Sequence, residues 1–130
     1  MCIILFMKAA YTIIGKVKNG AKRGKSLGFP TANVSLHKKI PEGVYISQVK
    51  IHKRIYPAAT FIGSAMTFGE KDYKSECHIL DFHDDLYGIW ISIMLYKKIR
   101  GNLKFGSKEG LIKQMEQDIS IVRSWFHNRI

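Results

Sequence analysis

Residues 19–33 (NGAKRGKSLGFPTAN) bring glycines, lysines and side-chain hydroxyls together in one short stretch. Gly20, Gly24 and Lys25 share part of the Walker A pattern, but three residues separate the glycines where that phosphate loop requires four. A Walker A loop also leads directly into a helix, and Gly28 followed by Pro30 disfavours one here. The stretch is therefore not a Walker A loop.

The chemistry of this loop still suits an anion. Its glycines allow backbone N–H groups to approach a phosphate closely, and Lys22, Arg23 and Lys25 add positive charge. The same composition is typical of a solvated basic loop. The residue types alone leave both interpretations open.

Two oxygen-bearing side chains follow the loop at a spacing that suits a metal ion. Thr31 and Asn33 are separated only by Ala32, so they project to the same face if this segment is extended. Hydroxyl and amide oxygens are hard ligands of the kind that Mg²⁺ accepts. The spacing is compatible with a Mg²⁺–phosphate site, and equally with an ordinary turn after Pro30.

A carboxylate in the segment ECHILDF is the candidate for proton transfer. Glu76 can accept a proton from an alcohol within hydrogen-bond reach, although a lone acid at a strand edge is more often a surface charge. Cys77 points to the opposite face of a regular strand, which predicts a buried structural thiol. His78 and His83 have no recognised zinc spacing, so the nearby acids predict a solvated turn.

These residues must be positioned by strands, because the apolar pattern along the chain is mostly that of β-structure. We predict strands at residues 11–18, 44–51, 55–63, 76–82 and 88–98. The connections are mostly too short for helical crossovers, so the sheet should be antiparallel. Five or six strands in a short chain favour a closed or nearly closed barrel.

One helix is predicted near the C-terminus. Ser107 can cap it, and five apolar residues then recur at intervals of three or four, which places them on one stripe. The stripe consists of Leu111, Met115, Ile119, Val122 and Phe126. We expect the helix to cover the barrel and Trp125 to serve packing rather than recognition.

The charge composition of the chain limits the classes of molecule that it is expected to bind. The chain of 130 residues carries a formal charge of +11, and no acid precedes Glu42. A positive region of this kind concentrates anions such as nucleotides or nucleic acid. A small basic barrel that stacks bases on Tyr11, Tyr45 and Tyr96 is therefore an alternative function.

Length and cysteine usage limit the organisation of the chain. Residues 1–130 are expected to form one domain, with residues 1–10 as a leader or an extra edge strand. Two cysteines, Cys2 and Cys77, cannot form a disulfide framework, so a reducing, cytoplasmic location is expected. Residues 1–7 are apolar but too short to span a bilayer.

Several ordered motifs together resemble the riboflavin kinases of the bacterial and eukaryotic type. The most specific is Pro30-Thr31-Ala32-Asn33, and the similarity covers about residues 11–126. Further matching segments are Gly43-Val44-Tyr45, Thr67-Phe68, residues 76–82, residues 85–88, Ile99-Arg100 and Lys104-Phe105. The resemblance implies a mainly β fold, a six-stranded antiparallel Greek-key barrel with a C-terminal α-helix packed on it.

The same resemblance implies an activity. The family transfers the γ-phosphoryl group of ATP to the 5′-hydroxyl of riboflavin and yields FMN and ADP, with Mg²⁺ as the cofactor. It further implies small-molecule substrates, no membrane, no specific nucleic acid and a monomer. A non-catalytic flavin-binding domain remains a second alternative to the enzyme.

Residue roles follow from the resemblance position by position. Glu76 is the implied general base, and Thr31 and Asn33 are the implied ligands of Mg²⁺. The implied ATP-binding residues are Gly20, Lys25, Ser26, Thr31, Asn33, Ile79, Asp81 and Tyr87. The implied flavin-binding residues are Arg100, Phe105 and Lys113. Residues 101–103 (GNL) and Gly106 depart from the family pattern, so the resemblance does not extend to flavin contacts near Leu103 and Gly110.

Overall fold

The computed structural model of the chain describes residues 8–18, 31–64, 73–102 and 106–128. The basic loop of residues 19–30 lies outside them. The described part contains β1 Tyr11–Lys16, β2 Ala32–Ser35, β3 Gly43–Ile51, β4 Arg54–Ser64, β5 Tyr73–Ile79, β6 Trp90–Arg100 and the helix α1 Lys108–His127. The predicted class, an antiparallel barrel with a helix near the C-terminus, is confirmed.

The boundaries of β5 and β6 differ from the sequence prediction. β5 spans Tyr73–Ile79 instead of residues 76–82, because the chain turns immediately afterwards and Asp81 adopts a φ of 57°. That left-handed conformation ends a strand, and Asp tolerates it better than most residues. β6 correspondingly starts later, at Trp90, and runs to Arg100.

The six strands form one antiparallel sheet in the order β1-β6-β3-β4-β5-β2. β3, β4 and β5 are consecutive neighbours, and β6 returns to lie beside β3, which is a Greek key. The two end strands meet through a bridge just after β1, where Lys18 pairs with Asn33 and its backbone N–H donates to the Asn33 carbonyl over 2.8 Å. This contact nearly closes the barrel.

Barrel closure depends on the absence of a side chain at Gly15. A Cβ atom at this position would overlap Cγ1 of Val34 on β2. Real Cβ atoms do not approach other carbon atoms so closely, so any side chain at residue 15 would force β1 and β2 apart. Glycine therefore permits the close approach of the first and last strands of the sheet.

The barrel interior is mainly apolar and contains a short chain of hydrogen-bonded side chains. Its fully buried side chains include Val34, Val49 and Ile93. Ser47 lies 2.6 Å from Thr60, and Thr60 lies 3.1 Å from the Cys77 sulfur. Because these groups pair with one another, burying them leaves no hydrogen-bonding group unsatisfied.

The helix α1 packs on the outside of the barrel. The side chain of Ser107 accepts a hydrogen bond from the Gly110 N–H over 3.1 Å, which confirms the predicted cap. Val122 and Phe126 join a second apolar cluster with residues of β3 and β4. Trp125 stacks on Tyr96 at 5.7 Å, in agreement with the expected packing role. None of the helices in the described ranges is both long enough and apolar enough to cross a membrane.

Candidate active site

One row of side chains runs across the outer face of the barrel and brings several predicted site residues together. Residues directly opposite each other on neighbouring strands project to the same face. Successive pairings connect Lys18, Asn33, Glu76, Phe61, Val44 and Arg100 in that order. We call this set the outer row. It places the candidate metal ligand Asn33 directly beside the candidate base Glu76.

The alternation along β2 and β5 explains why these residues face outward. Ala32 and Val34 are buried in the interior cluster, as is Cys77, so the intervening Asn33 and Glu76 project to the other side. Cys77 is fully buried, and burial raises the pKa of its thiol to about 12. The structure thus confirms the prediction that Cys77 is buried and faces away from Glu76.

The side chain of Asn33 has the properties expected of a metal ligand. It is only 8% exposed, and its Oδ1 atom accepts no hydrogen bond from any described residue. A buried carbonyl oxygen without a donor is costly, and a cation would satisfy it. Thr31, half-buried, immediately precedes β2 and carries a second side-chain oxygen two residues from Asn33. These two residues fit a Mg²⁺ ion.

Glu76 is held by a neighbouring cation on its own strand. The Nζ atom of Lys74 lies 2.8 Å from Oε1 of Glu76, and the two side chains are 23% and 29% exposed. Two residues apart on a strand, they share the outer face. This contact fixes one carboxylate oxygen of Glu76. No other hydrogen bond to its carboxylate comes from the described residues.

β4 pairs with β5 on the side opposite β2, and it approaches the segment after β6 that is predicted to bind the flavin. Phe61 pairs with Glu76, and Gly63 is the next outward-facing residue of β4. A Cβ atom at Gly63 would lie 2.7 Å from the Phe61 ring and 3.0 Å from Nδ2 of Asn102. The ring and the amide occupy the space that Gly63 leaves free. Asn102, which follows β6, is therefore close to the site of Glu76.

Arg100 joins the end of β6 to α1. Its Nε and Nη2 atoms donate to the carboxylate of Asp118 over 2.8–3.2 Å, and Gln114 also donates to Asp118. The remaining Nη1 donates to the carbonyl of Gly101 over 3.1 Å. Asp118 is 4% exposed, so this is a buried, well-paired carboxylate. The guanidinium fixes the start of the segment that follows β6.

Asp81 has a partner on α1 that sequence reasoning did not foresee. Arg123 donates to both of its carboxylate oxygens over 2.8 and 2.9 Å. Hydrogen bonding from Arg123 lowers the pKa of Asp81 below its ordinary value. The pair is exposed and attaches the end of α1 to the turn after β5.

The other predicted nucleotide residues lie around the same turn. Tyr87 is 60% exposed, and its backbone N–H donates to the side chain of Asp85. The side chain of Ile79 is buried in the barrel interior. A contact of Ile79 with a nucleotide would therefore use its backbone rather than its side chain.

Four predicted site residues, Gly20, Lys25, Ser26 and Phe105, lie outside the described residues. Lys113 is described and is exposed on the second turn of α1. Lys74 is the residue near Glu76 that the sequence analysis did not select. A signal was present, because Lys74 and Glu76 have the spacing that places two strand residues on one face.

Comparisons with known proteins identify the family of this chain. A family model described as riboflavin kinase matches residues 7–126. A bifunctional riboflavin kinase/FMN adenylyltransferase of Listeria monocytogenes is 39% identical over 120 residues, which are 89% of this chain and 38% of that protein. The chain therefore spans well under half the length of this curated relative.

Solved structures share the fold. A riboflavin kinase from Trypanosoma brucei gives a TM-score of 0.64 at 26% identity and covers 89% of this chain and 76% of its own. A Streptococcus pneumoniae structure described as a macrolide-efflux protein gives 0.80 at 33% identity and covers 88% of this chain and 38% of its own.

Taken with the outer row, the fold defines a small Greek-key barrel domain with a polar site on its outer face. The chain belongs to the riboflavin kinase family.

Proposed function

We propose that this domain is a riboflavin kinase that transfers the γ-phosphoryl group of ATP to the 5′-hydroxyl of riboflavin. The products are FMN and ADP. The observation that carries the proposal is the pairing of Asn33 with Glu76 on one face of the barrel, in a chain that belongs to this family. This pairing supports the proposal because the Asn33 amide could bind the nucleotide's cation and the neighbouring Glu76 carboxylate could accept the alcohol's proton.

The role of Glu76 follows from the chemistry of a primary alcohol, which is a weak nucleophile. The free carboxylate oxygen of Glu76 accepts the proton of the 5′-hydroxyl while the hydroxyl oxygen forms a bond to the γ-phosphorus. The bond from that phosphorus to the bridging oxygen of ADP breaks, and the electron pair leaves with ADP. Glu76 then returns the proton to solvent, so the carboxylate is regenerated.

The nucleotide side of the site is proposed to use Thr31 and Asn33. Together they would hold Mg²⁺ through the Thr31 hydroxyl and the Oδ1 atom of Asn33, which accepts no hydrogen bond from the described residues. Bound with ATP, the ion would neutralise phosphate charge during the transfer. Gly20, Lys25 and Ser26 would cover the phosphates, and the turn that contains Asp81 and Tyr87 would contact the nucleotide.

The flavin side is proposed to use the segment after β6. Arg100 is engaged by Asp118 and Gly101, so its contribution is to hold this segment against α1 rather than to offer a free guanidinium. Phe105 would supply an apolar surface for the isoalloxazine ring, with Lys113 at its edge. Asn102 already approaches β4 beside the Glu76 pairing, which is where the ribityl chain must end.

The nucleic-acid alternative has less support from the positions of its tyrosines. Tyr45 is buried, Tyr11 packs edge-on against it at 6.4 Å, and Tyr96 stacks on Trp125. Stacking platforms need exposed rings. The basic character of the chain is equally compatible with binding nucleotide phosphates.

The test of the proposed function is direct. The purified chain is incubated with riboflavin, ATP and Mg²⁺, and FMN is separated from riboflavin chromatographically. We expect FMN that depends on both substrates and disappears when EDTA removes the divalent ion. Binding of riboflavin and ATP without FMN would favour the non-catalytic flavin-binding domain instead.

The ligand assignment has its own test. Thr31→Ala removes one oxygen, so half-maximal FMN formation should require more Mg²⁺, while riboflavin binding measured by fluorescence quenching stays near the wild-type value. An unchanged Mg²⁺ requirement would remove Thr31 from the proposed ligands.

A further inference from the structure

We propose that Lys74 is a positioning residue for Glu76 in phosphoryl transfer, an assignment that rests on the riboflavin kinase function proposed above. Lys74 acts through its ion pair with Glu76, and its loss should be felt in the chemical step rather than in substrate binding.

The contact between the two side chains is specific. Nζ of Lys74 lies 2.8 Å from Oε1 of Glu76, a normal length for a charge-assisted hydrogen bond. Because this oxygen is engaged, the other carboxylate oxygen, Oε2, is left to accept the hydroxyl proton. A carboxylate that rotated freely would spend less time with an oxygen aimed at the hydroxyl, and the geometry of proton transfer is demanding.

The surroundings of Lys74 restrict where its side chain can go. Lys74 pairs with Ser35 on β2 and with Gly63 on β4. The space above Gly63 is occupied by the edge of the Phe61 ring and the amide of Asn102. Lys74 is accordingly half-buried, with 23% of its side chain exposed. An ammonium group restricted in this way can hold a carboxylate in one orientation.

The Lys74–Glu76 ion pair is not expected to contribute much to folding stability. Partly exposed ion pairs on a protein surface contribute little to folding. The pair instead involves Glu76, whose carboxylate faces Asn33 across the strands. At that position the orientation of the carboxylate affects catalysis.

A double-mutant cycle tests the assignment. Steady-state FMN formation is measured for the wild type, Lys74→Met, Glu76→Gln and the double variant, with kcat and both KM values determined. Methionine retains the apolar stem of the lysine and removes its charge. We expect Lys74→Met to lower kcat roughly 5- to 50-fold, within the range of coupling between contacting residues, while both KM values stay within about threefold of the wild type.

The decisive comparison is in the Glu76→Gln background. If Lys74 acts through Glu76, Lys74→Met should cost little further activity there. Lys74→Arg keeps a donor and a positive charge and should restore most of the lost kcat. Lys50→Met, at an exposed strand lysine on β3, is the matched control and should leave kcat unchanged. Thermal unfolding of each variant confirms that it is folded.

Three results would overturn the role assigned to Lys74 without affecting the proposed function. These are an unchanged kcat in Lys74→Met, an equal fractional loss with and without Glu76, and a raised KM for ATP at constant kcat. The last would make Lys74 a nucleotide contact. Absence of FMN from the wild type would instead overturn the proposed function, and this assignment with it.

Discussion

Asn33 and Glu76 are common residue types whose chemistry depends on their facing each other across β2 and β5. The amide oxygen accepts no hydrogen bond from the described residues, and the carboxylate has one oxygen engaged by Lys74. In the proposed site, Asn33 would offer its oxygen to a cation and Glu76 would offer its other oxygen to a proton. Cys77, adjacent to Glu76 in the chain, takes no part because the strand turns it into the core.

Replacing the candidate base tests its role with little change in shape. Glu76→Gln keeps a hydrogen-bond acceptor for the hydroxyl but removes the basic oxygen. We expect kcat to fall roughly 10²–10⁴-fold, the usual contribution of a positioned general base, with riboflavin and ATP affinities nearly unchanged. Steady-state FMN formation, with both binding constants measured in parallel, checks this. Turnover close to the wild-type value would exclude Glu76 as the base.

The buried thiol makes a separate prediction about pH. The folded-state pKa of Cys77 is raised by burial to about 12, against an ordinary value of 9.0. Below pH 9.0 the thiol is protonated whether the chain is folded or not, so its contribution to stability is fully present. As the pH rises from 9.0 toward about 12, only the unfolded chain releases the proton, and stability is lost.

The loss should reach about 2 kcal/mol near pH ~10.5. It is measured as the difference between urea unfolding free energies of Cys2→Ser and of Cys2→Ser/Cys77→Ala at pH ~7 and pH ~10.5. Other groups titrate in both variants, so the difference isolates Cys77. Parallel pH profiles for the two variants would contradict the prediction.

α1 is attached to the barrel by two different kinds of ion pair. Near its middle, the buried Asp118 accepts from Arg100 at the end of β6. Near its C-terminal end, Arg123 pairs with the exposed Asp81 after β5. Val122, between these two helix residues, and Phe126, after Arg123, are buried against the sheet. The helix thereby connects the turn proposed to contact the nucleotide with the segment proposed to contact the flavin.

The two pairs should differ in their effect on folding. Asp118→Ala leaves the partly buried Arg100 without its carboxylate, and we expect a loss of about 2–4 kcal/mol in the free energy of unfolding. Arg123→Ala breaks an exposed pair and should change the unfolding midpoint far less. Urea unfolding of both variants provides the comparison. Equal losses of unfolding free energy in the two variants would show that burial does not determine how much each pair stabilises the fold.

The barrel as a whole depends on the approach of β1 to β2, the two strands at opposite ends of the sheet order. Gly15 makes that approach possible, and the Lys18–Asn33 bridge follows it directly. Since Asn33 is part of both the closure and the proposed metal site, a change that separates β1 from β2 should affect folding and nucleotide binding together.

Gly15→Ala tests this coupling. The added methyl group would overlap Val34, so we expect destabilisation of about 1–3 kcal/mol and weaker Mg·ATP binding. Gly101→Ala is the control, because a Cβ atom there meets no described atom within 4 Å. Chemical unfolding and ATP titration are measured for both variants. A stable Gly15→Ala protein with normal ATP binding would show that closure tolerates a side chain at this position.

Local features were predictable from the sequence because they depend on residues close together in the chain. The period-two pattern identified the strands, the hydroxyl of Ser107 identified the start of α1, and alternation separated Glu76 from Cys77. The motif Pro30-Thr31-Ala32-Asn33 identified the family. Thr31 and Asn33 were recognised as a pair because only Ala32 lies between them.

Only the tertiary structure decided which distant residues meet. Strand register pairs Asn33 with Glu76, and helix packing gives Arg100 its partner Asp118 and Asp81 its partner Arg123. Nothing in the neighbouring sequence specifies these contacts, since a shift of one residue in register would turn the outer row into the core. The register is set by the fit of all six strands around one interior, which is a property of the whole barrel.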